Sequence, residues 1–286
     1  MKIDLLLIPM GARYRDMRDA AVAAEESGFD GLWTWDHLRD PDGGARSRVP
    51  EALTTLAGLA EATQRITLGP LVLNVSSRHP GILANIAATL QEISGGRLLL
   101  GLGAGGHRRL PYAVEHESLG IAVEPDRVRA ERVAEAAQVL KRLWSGDESA
   151  FSGSHYRLER PSGFLRPDPP PPIIVGGFGP RMAAIAGRYA DGFNTPATVP
   201  RLAELIKTAR DAHAATGRDP SRFIMTVFGA FRDSYLDPTS PAHTALDLQG
   251  VERLILLLEA PYDVDRIRRA AKHLGALTKR EAARHH

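Results

Sequence analysis

The sequence predicts an α/β fold, a (β/α)8 TIM barrel, on three observations. Eight strand-like runs alternate with helix-like ones, several of the runs are apolar throughout rather than alternating, and no composition shift divides the 286 residues. Continuous apolar strands suit a parallel sheet whose faces are both covered, and a single barrel of this kind takes about 250 residues. An open doubly covered sheet satisfies the same pattern; the count of eight favours closure.

Each β-α unit is readable in order. Ile3 to Ile8 is β-prone, Met17, Ala20, Ala21 and Ala24 follow at helical spacing, and Gly28 supplies a stop. Gly31 to Trp35 is the second strand, with Leu53, Leu56, Ala57 and Ala60 on its helix. Ile66 to Leu73 is the third, with Ile82, Ile86, Leu90 and Ile93 predicted as the buried face of the next helix. Leu98 to Leu102 opens the fourth, whose helix is delayed to Arg127 through Trp144, with Val133, Ala136, Ala137, Leu140 and Leu143 inward. Residues 145–172 break the rhythm with a short hairpin around Phe151 to Leu158 and a proline-rich run, and are read as an insertion between the fourth helix and the fifth strand. Ile173 to Val175, a strand near Gly192, Phe223 to Val227 and Leu254 to Leu258 complete the set. Helices carrying Met182 and Ile185, then Leu202 and Leu205, and finally Val264, Ile267, Ala271 and Leu274 accompany them. One domain over 1–286 is expected, with 275–286 as a tail that includes a His285-His286 ending given no functional weight.

Composition narrows the function. With no cysteine, disulfides, thiolate metal sites and cysteine nucleophiles drop out. The formal net charge is +2 and the basic residues are spread along the chain, so neither a nucleic-acid footprint nor a polybasic membrane anchor is expected. Leu5 to Ile8 is far short of a signal peptide or a membrane span, which makes a cytoplasmic protein with a small-molecule substrate the simplest expectation.

In a barrel the residues just beyond the C-terminal strand ends line the site. Asp36-His37 ends the second run, a carboxylate beside an imidazole that either exchanges protons near neutral pH or caps a turn. Gly103, Ala104, Gly105 and Gly106 follow the fourth strand with His107, and Gly176, Gly177, Phe178 and Gly179 follow the fifth. Both segments leave backbone amides free to approach an anionic group or a planar ring, and the second opens a helix. The first is not a Rossmann turn, because no helix opens directly and no acidic strand end follows. Glu115-His116-Glu117 is read as a solvated loop rather than a metal site, and Arg108-Arg109 as an anion contact or a surface pair.

On these positions the chain resembles the luciferase-like monooxygenase superfamily. The likeness runs from Met1 to Asn194 through "AEESGFDGLWTWDH", "ITLGPLVLNVSSRHPGILANIAATLQEISGGRLLLGLGAGG", "VLKRLWSG" and "PPPPIIVGGFGPRMAAIAGRYADGFN". Its central string is similar to the F420-dependent (deazaflavin) oxidoreductase branch, whereas FMN-dependent members more often carry Glu-His-His where this chain has Asp36-His37. The resemblance implies a hydride-transferring enzyme using coenzyme F420, with FMN as the alternative cofactor and a non-catalytic cofactor binder as a further reading. It implies a cis peptide at Leu71-Val72 under the ring, cofactor contacts from Asp36, Leu71, Val72, Asn74, Gly103, Ala104, Gly105, Gly106, His107, Gly176, Gly177, Phe178 and Gly179, proton transfer by His37, and a homodimer. Where some relatives carry an acidic or polar residue after the fourth strand this chain has Gly106-His107, so the acid must come from elsewhere, from His107 or from His37 acting alone.

Overall fold

A computed structural model describes residues 1–40, 48–106 and 111–284. The first half of the chain runs β1 (Lys2–Leu7), α1 (Tyr14–Glu26), β2 (Gly31–Thr34), α2 (Ala52–Ala62), β3 (Thr67–Pro70), β4 (Leu73–Asn74), α3 (Pro80–Ile93), β5 (Leu100–Gly103), α4 (Val114–Ser118) and α5 (Asp126–Ser145). The second runs β6 (Phe151–Ser152), β7 (Arg157–Leu158), β8 (Ile173–Gly176), α6 (Pro180–Tyr189), β9 (Gly192–Pro196), α7 (Leu202–Ala214), β10 (Ile224–Ala230), α8 (Asp233–Leu236), α9 (Pro241–Leu248), β11 (Arg253–Leu258) and α10 (Val264–Arg284).

Nine parallel strands form one sheet in the order β3-β2-β1-β11-β10-β9-β8-β5-β4. β3 and β4, at its two ends, are halves of a single run separated at Leu71-Val72, where the peptide bond is cis as the resemblance implied. The ring closes at that point: Leu68 pairs with Leu98, the Leu68 amide donates to the Arg97 carbonyl, and the Leu99 amide donates to Leu68. Counting the two halves once, the barrel has the expected eight strand positions. The apolar strands read without alternation because both faces are covered: on β1, Leu5 and Leu7 pack against the helical layer while Leu6 and Ile8 join Trp33, Leu71, Leu99, Ile174 and Ile255 inside the barrel.

Two sequence expectations are corrected. Of the four apolar residues expected on α3, Leu90 is buried and Ile86 packs against the core, but Ile82 is 63% and Ile93 40% exposed, and Leu83, Ala84, Ala87, Ala88 and Gln91 complete the buried face. Small alanines let α3 lie close to its neighbours, and Gln91 anchors it by accepting from the Leu98 amide and donating to the Pro169 carbonyl. The helices α8 and α9, between β10 and β11, have no counterpart in the sequence reading. The excursion after α5 holds the antiparallel pair β6–β7, and α10 continues through the expected tail as far as Arg284. Among the described residues no helix is long and apolar enough to cross a membrane.

Candidate active site at the C-terminal mouth of the barrel

β2 delivers Trp35, Asp36 and His37 to the mouth. Asp36 is buried, and both its oxygens are engaged: Arg78 donates from Nη1 and Nη2 at 2.8 Å each, and the Asn74 amide donates at 2.9 Å. Arg78 Nη2 also reaches Glu51 at 2.7 Å, tying the start of α2 to the same cluster. The end of β2 is thereby bound to the end of β4. Asn74 is fixed in turn, since its Oδ1 accepts from the Ser76 amide at 3.0 Å and its Nδ2 lies 3.0 Å from His116 Nε2.

His37 is held on three sides. Its Nδ1 lies 3.2 Å from Glu115 Oε1, its ring stacks on Tyr112 with centroids 4.2 Å apart and planes 21° apart, and Trp35 meets it edge-on at 5.9 Å. The His37 side chain is 21% exposed and that of Glu115 7%. Glu115 Oε2 accepts from the Leu38 amide at 2.9 Å. Burial works against the Glu115 carboxylate, but the hydrogen bonds from His37 and Leu38, with the charges of His37 and His116, prevail and hold its pKa below the usual value. The neighbouring His116 lies 2.8 Å from Ser77 Oγ; burial pushes its pKa down, against the pull of Glu115 and Asp36. The solvated-loop reading of this segment is therefore corrected: Glu115 and His116 are buried, and Glu117 alone of the three is exposed. A helix of five residues, α4, points Glu115 at the end of β2 and His116 at the end of β4.

The glycines make room for side chains as much as for a ligand. A Cβ on Gly103 would come 2.4 Å from Val72 Cγ2, one on Gly176 would come 3.0 Å from Val72 Cγ1, and one on Gly101 would lie 3.0 Å from the same methyl. Val72 thus sits in a notch cut by three glycines, Gly101 and Gly103 of β5 and Gly176 of β8, beside the cis bond after Leu71. Gly105, at φ +72°, accommodates the Asn74 amide, which a Cβ would meet at 2.4 Å. Arg129 on α5, which the sequence reading did not single out, donates from Nη1 to the carbonyls of Ala104, Gly105 and Gly106 at 2.6, 2.8 and 3.1 Å. With those carbonyls turned to one guanidinium, the Gly105 and Gly106 amides donate to no described residue.

Across the notch, β8 runs beside β5, and α6 begins at Pro180 with Gly179 as an N-cap that makes no side-chain bond. A Cβ on Gly179 would meet nothing within 4 Å, and Phe178 is 72% exposed. Gly177 donates to the Asn194 carbonyl at 3.0 Å and leaves space for Met182. Among the described residues, the Gly105 and Gly106 amides and the α6 N-terminus, whose N-cap makes no side-chain bond, are groups of the kind that favour an anion. Met10, Trp35, Phe228 and Leu257 are partly buried against the inner barrel cluster. His107, Arg108 and Arg109 lie outside the described residues. Among the described residues no cluster of potential metal ligands occurs.

Residues 4–240 match the family model for luciferase-like monooxygenase. The chain belongs to the luciferase-like monooxygenase family. Within it, an F420-dependent glucose-6-phosphate dehydrogenase of Nakamurella multipartita is 34% identical over 221 residues, which are 76% of this chain and 57% of that protein. An F420-dependent hydroxymycolic acid dehydrogenase of Mycobacterium tuberculosis is 34% identical over 203 residues, covering 70% of this chain and 54% of the relative. The luciferase-like chain thus spans little more than half the length of these curated relatives. In fold it superposes on an F420-dependent secondary alcohol dehydrogenase in complex with an F420-acetone adduct, with a TM-score of 0.80 at 20% identity over 95% of this chain and 97% of the other.

Proposed function

We propose that this protein is an F420-dependent oxidoreductase that passes a hydride between the deazaflavin and a small organic substrate, an alcohol, a carbonyl or an activated double bond. The observation that carries the reading is His37, pinned through Nδ1 by a buried carboxylate at the barrel mouth, with an Nε2 that bonds to no described residue. The names of the relatives support the choice of cofactor.

In this reading the bound deazaflavin supplies a carbon centre for two-electron hydride chemistry, and the chain supplies alignment and proton handling. Leu71 and Val72 support one face of the ring. Gly103, Ala104, Gly105 and Gly106 on one side and Gly176, Gly177, Phe178 and Gly179 on the other hold the anionic tail. Asp36 and Asn74 keep the ends of β2 and β4 in register beneath it, and His37 gives or takes the substrate's proton.

Titration of the purified protein with F420 and with FMN tests the cofactor: saturable F420 binding is expected, and binding of FMN alone would overturn the choice. Glucose 6-phosphate and propan-2-ol are the first substrate probes, followed by the loss of the deazaflavin's visible absorbance; oxygen consumption during turnover would instead mark a monooxygenase. The reading includes a homodimer in the cytoplasm without nucleic-acid or membrane partners, and sedimentation as a monomer would remove the first of these.

A further inference from the structure

We infer that Glu115 is a positioning residue for His37, holding the proton on Nδ1 so that Nε2 is the nitrogen that exchanges a proton with the substrate. This rests on the proposed role of His37 in proton transfer. No acidic residue follows the fourth barrel strand directly, where Gly106 stands, and Glu115 reaches the imidazole from α4 instead.

The geometry leaves the carboxylate little freedom. Oε1 lies 3.2 Å from His37 Nδ1 while Oε2 accepts from the Leu38 amide at 2.9 Å, so the two oxygens bracket the turn that carries the imidazole. Behind it, His116 is bound to Asn74 and Ser77, which prevents α4 from drifting off the barrel. The ring itself cannot swing to trade one nitrogen for the other without losing its stack on Tyr112. A carboxylate accepts and does not donate when ionised, so the tautomer it selects is the one with hydrogen on Nδ1. Among the described residues, the other titratable or charged groups facing the pair are Tyr112 on the ring face and His116 beside Glu115, with Asp36 and Arg129 acting on His116 in turn.

For an alcohol, the carbon-bound hydrogen would leave with its electron pair as a hydride to the deazaflavin, the O–H proton would pass to Nε2, and the C–O bond would become a carbonyl. His37 is then cationic and its Nδ1 hydrogen still meets the Glu115 anion, which stabilises that charge as it develops. Reduction of a carbonyl runs the same transfers in reverse.

The test is nuclear magnetic resonance of protein carrying ring-15N histidine, with the His37 signals assigned through His37→Asn. Neutral His37 in the wild type is expected with hydrogen on Nδ1 and a bare Nε2. In Glu115→Gln the preference for hydrogen on Nδ1 is expected to be lost. With F420 and propan-2-ol as probes, kcat should fall about 10- to 100-fold while F420 affinity holds, as expected for losing one hydrogen bond to a charged group. Wild-type His37 with hydrogen on Nε2 would overturn the inference without any variant having to fold, and so would an unchanged tautomer in Glu115→Gln. Failure of the wild type to bind F420 would overturn the proposed function and leave the resonance result standing, which separates the two.

Discussion

Both ends of the barrel bury a carboxylate against an arginine, and the comparison shows what a site has to leave undone. At the N-terminal end Asp4 accepts from Arg253 Nε and Nη2 at 2.7 and 2.8 Å and from Trp33 Nε1 at 2.8 Å, and Arg253 Nη2 also reaches Thr67 Oγ1 at 2.7 Å. Gly31 is bare because a Cβ there would come 2.6 Å from both partners. Both Asp4 oxygens and the Trp33 indole nitrogen are engaged in that cluster. At the C-terminal end the Asp36–Arg78 pair is as well satisfied, but among the described residues His37 Nε2 and the Gly105 and Gly106 amides have no hydrogen-bond partner. Stability resides in the pairs, and function in the neighbours that they leave unpaired.

That contrast can be broken from either end. The largest expected effect is at the mouth, where His37→Ala should lower kcat/KM about 10²- to 10⁴-fold, the range for losing a positioned acid or base. The part-exposed ring carries little of the fold, so thermal melting and F420 titration should stay near the wild-type values; a comparable loss of F420 binding would show that the residue builds the pocket instead. At the N-terminal end, Arg253→Met leaves Asp4 ionised, buried and unpartnered by any cation. It should cost about 3–5 kcal/mol in urea unfolding, with turnover per folded molecule unchanged.

A smaller effect is expected where the two roles meet. In Gly103→Ala the new methyl must push Val72 aside, since its Cβ would lie 2.4 Å from Cγ2. Overpacking of this kind costs about 1–3 kcal/mol, and if that strain displaces the ring support it appears as about 10- to 100-fold weaker F420 binding, read by fluorescence titration. Weakened folding with unaltered affinity would make the notch structural only.

How much of this was legible in the chain follows from the range of each contact. Strand and helix order is written locally, in apolar runs and glycine stops, so the barrel could be read along with the strand ends that carry His37, Gly103 and Gly176. The face of α3 was misread because periodicity weights large residues, whereas close helix packing selected the alanines and left Ile82 outside. Glu115 was misread because a Glu-His-Glu run resembles a solvated turn in any local window, and its imidazole partner lies 78 positions away. The Arg129 clamp and the Asp4–Arg253 pair, 249 positions apart, were invisible for the same reason: a charge carries no sign of what it will meet across the barrel.

The subtlest difference between the two ends is in pH. Among the described residues no histidine bonds to the Asp4–Arg253 pair, whereas the mouth buries His116, and burial holds its pKa below the ordinary imidazole value against the pull of Glu115 and Asp36. The unfolded chain therefore binds a proton at His116 more readily than the folded one, so its contribution is complete above about pH 6.5 and is lost as pH falls toward the depressed folded value. Glu115, lowered from 4.5, adds a second loss only further into acid, as pH drops through its own folded value. Unfolding free energy is expected to decline gently between neutrality and pH 5 in the wild type and to stay flatter in His116→Gln, whose amide can still accept from Asn74 or Ser77. Equal slopes in urea titrations of the two proteins would place the acid sensitivity elsewhere and remove His116 from the account of the mouth.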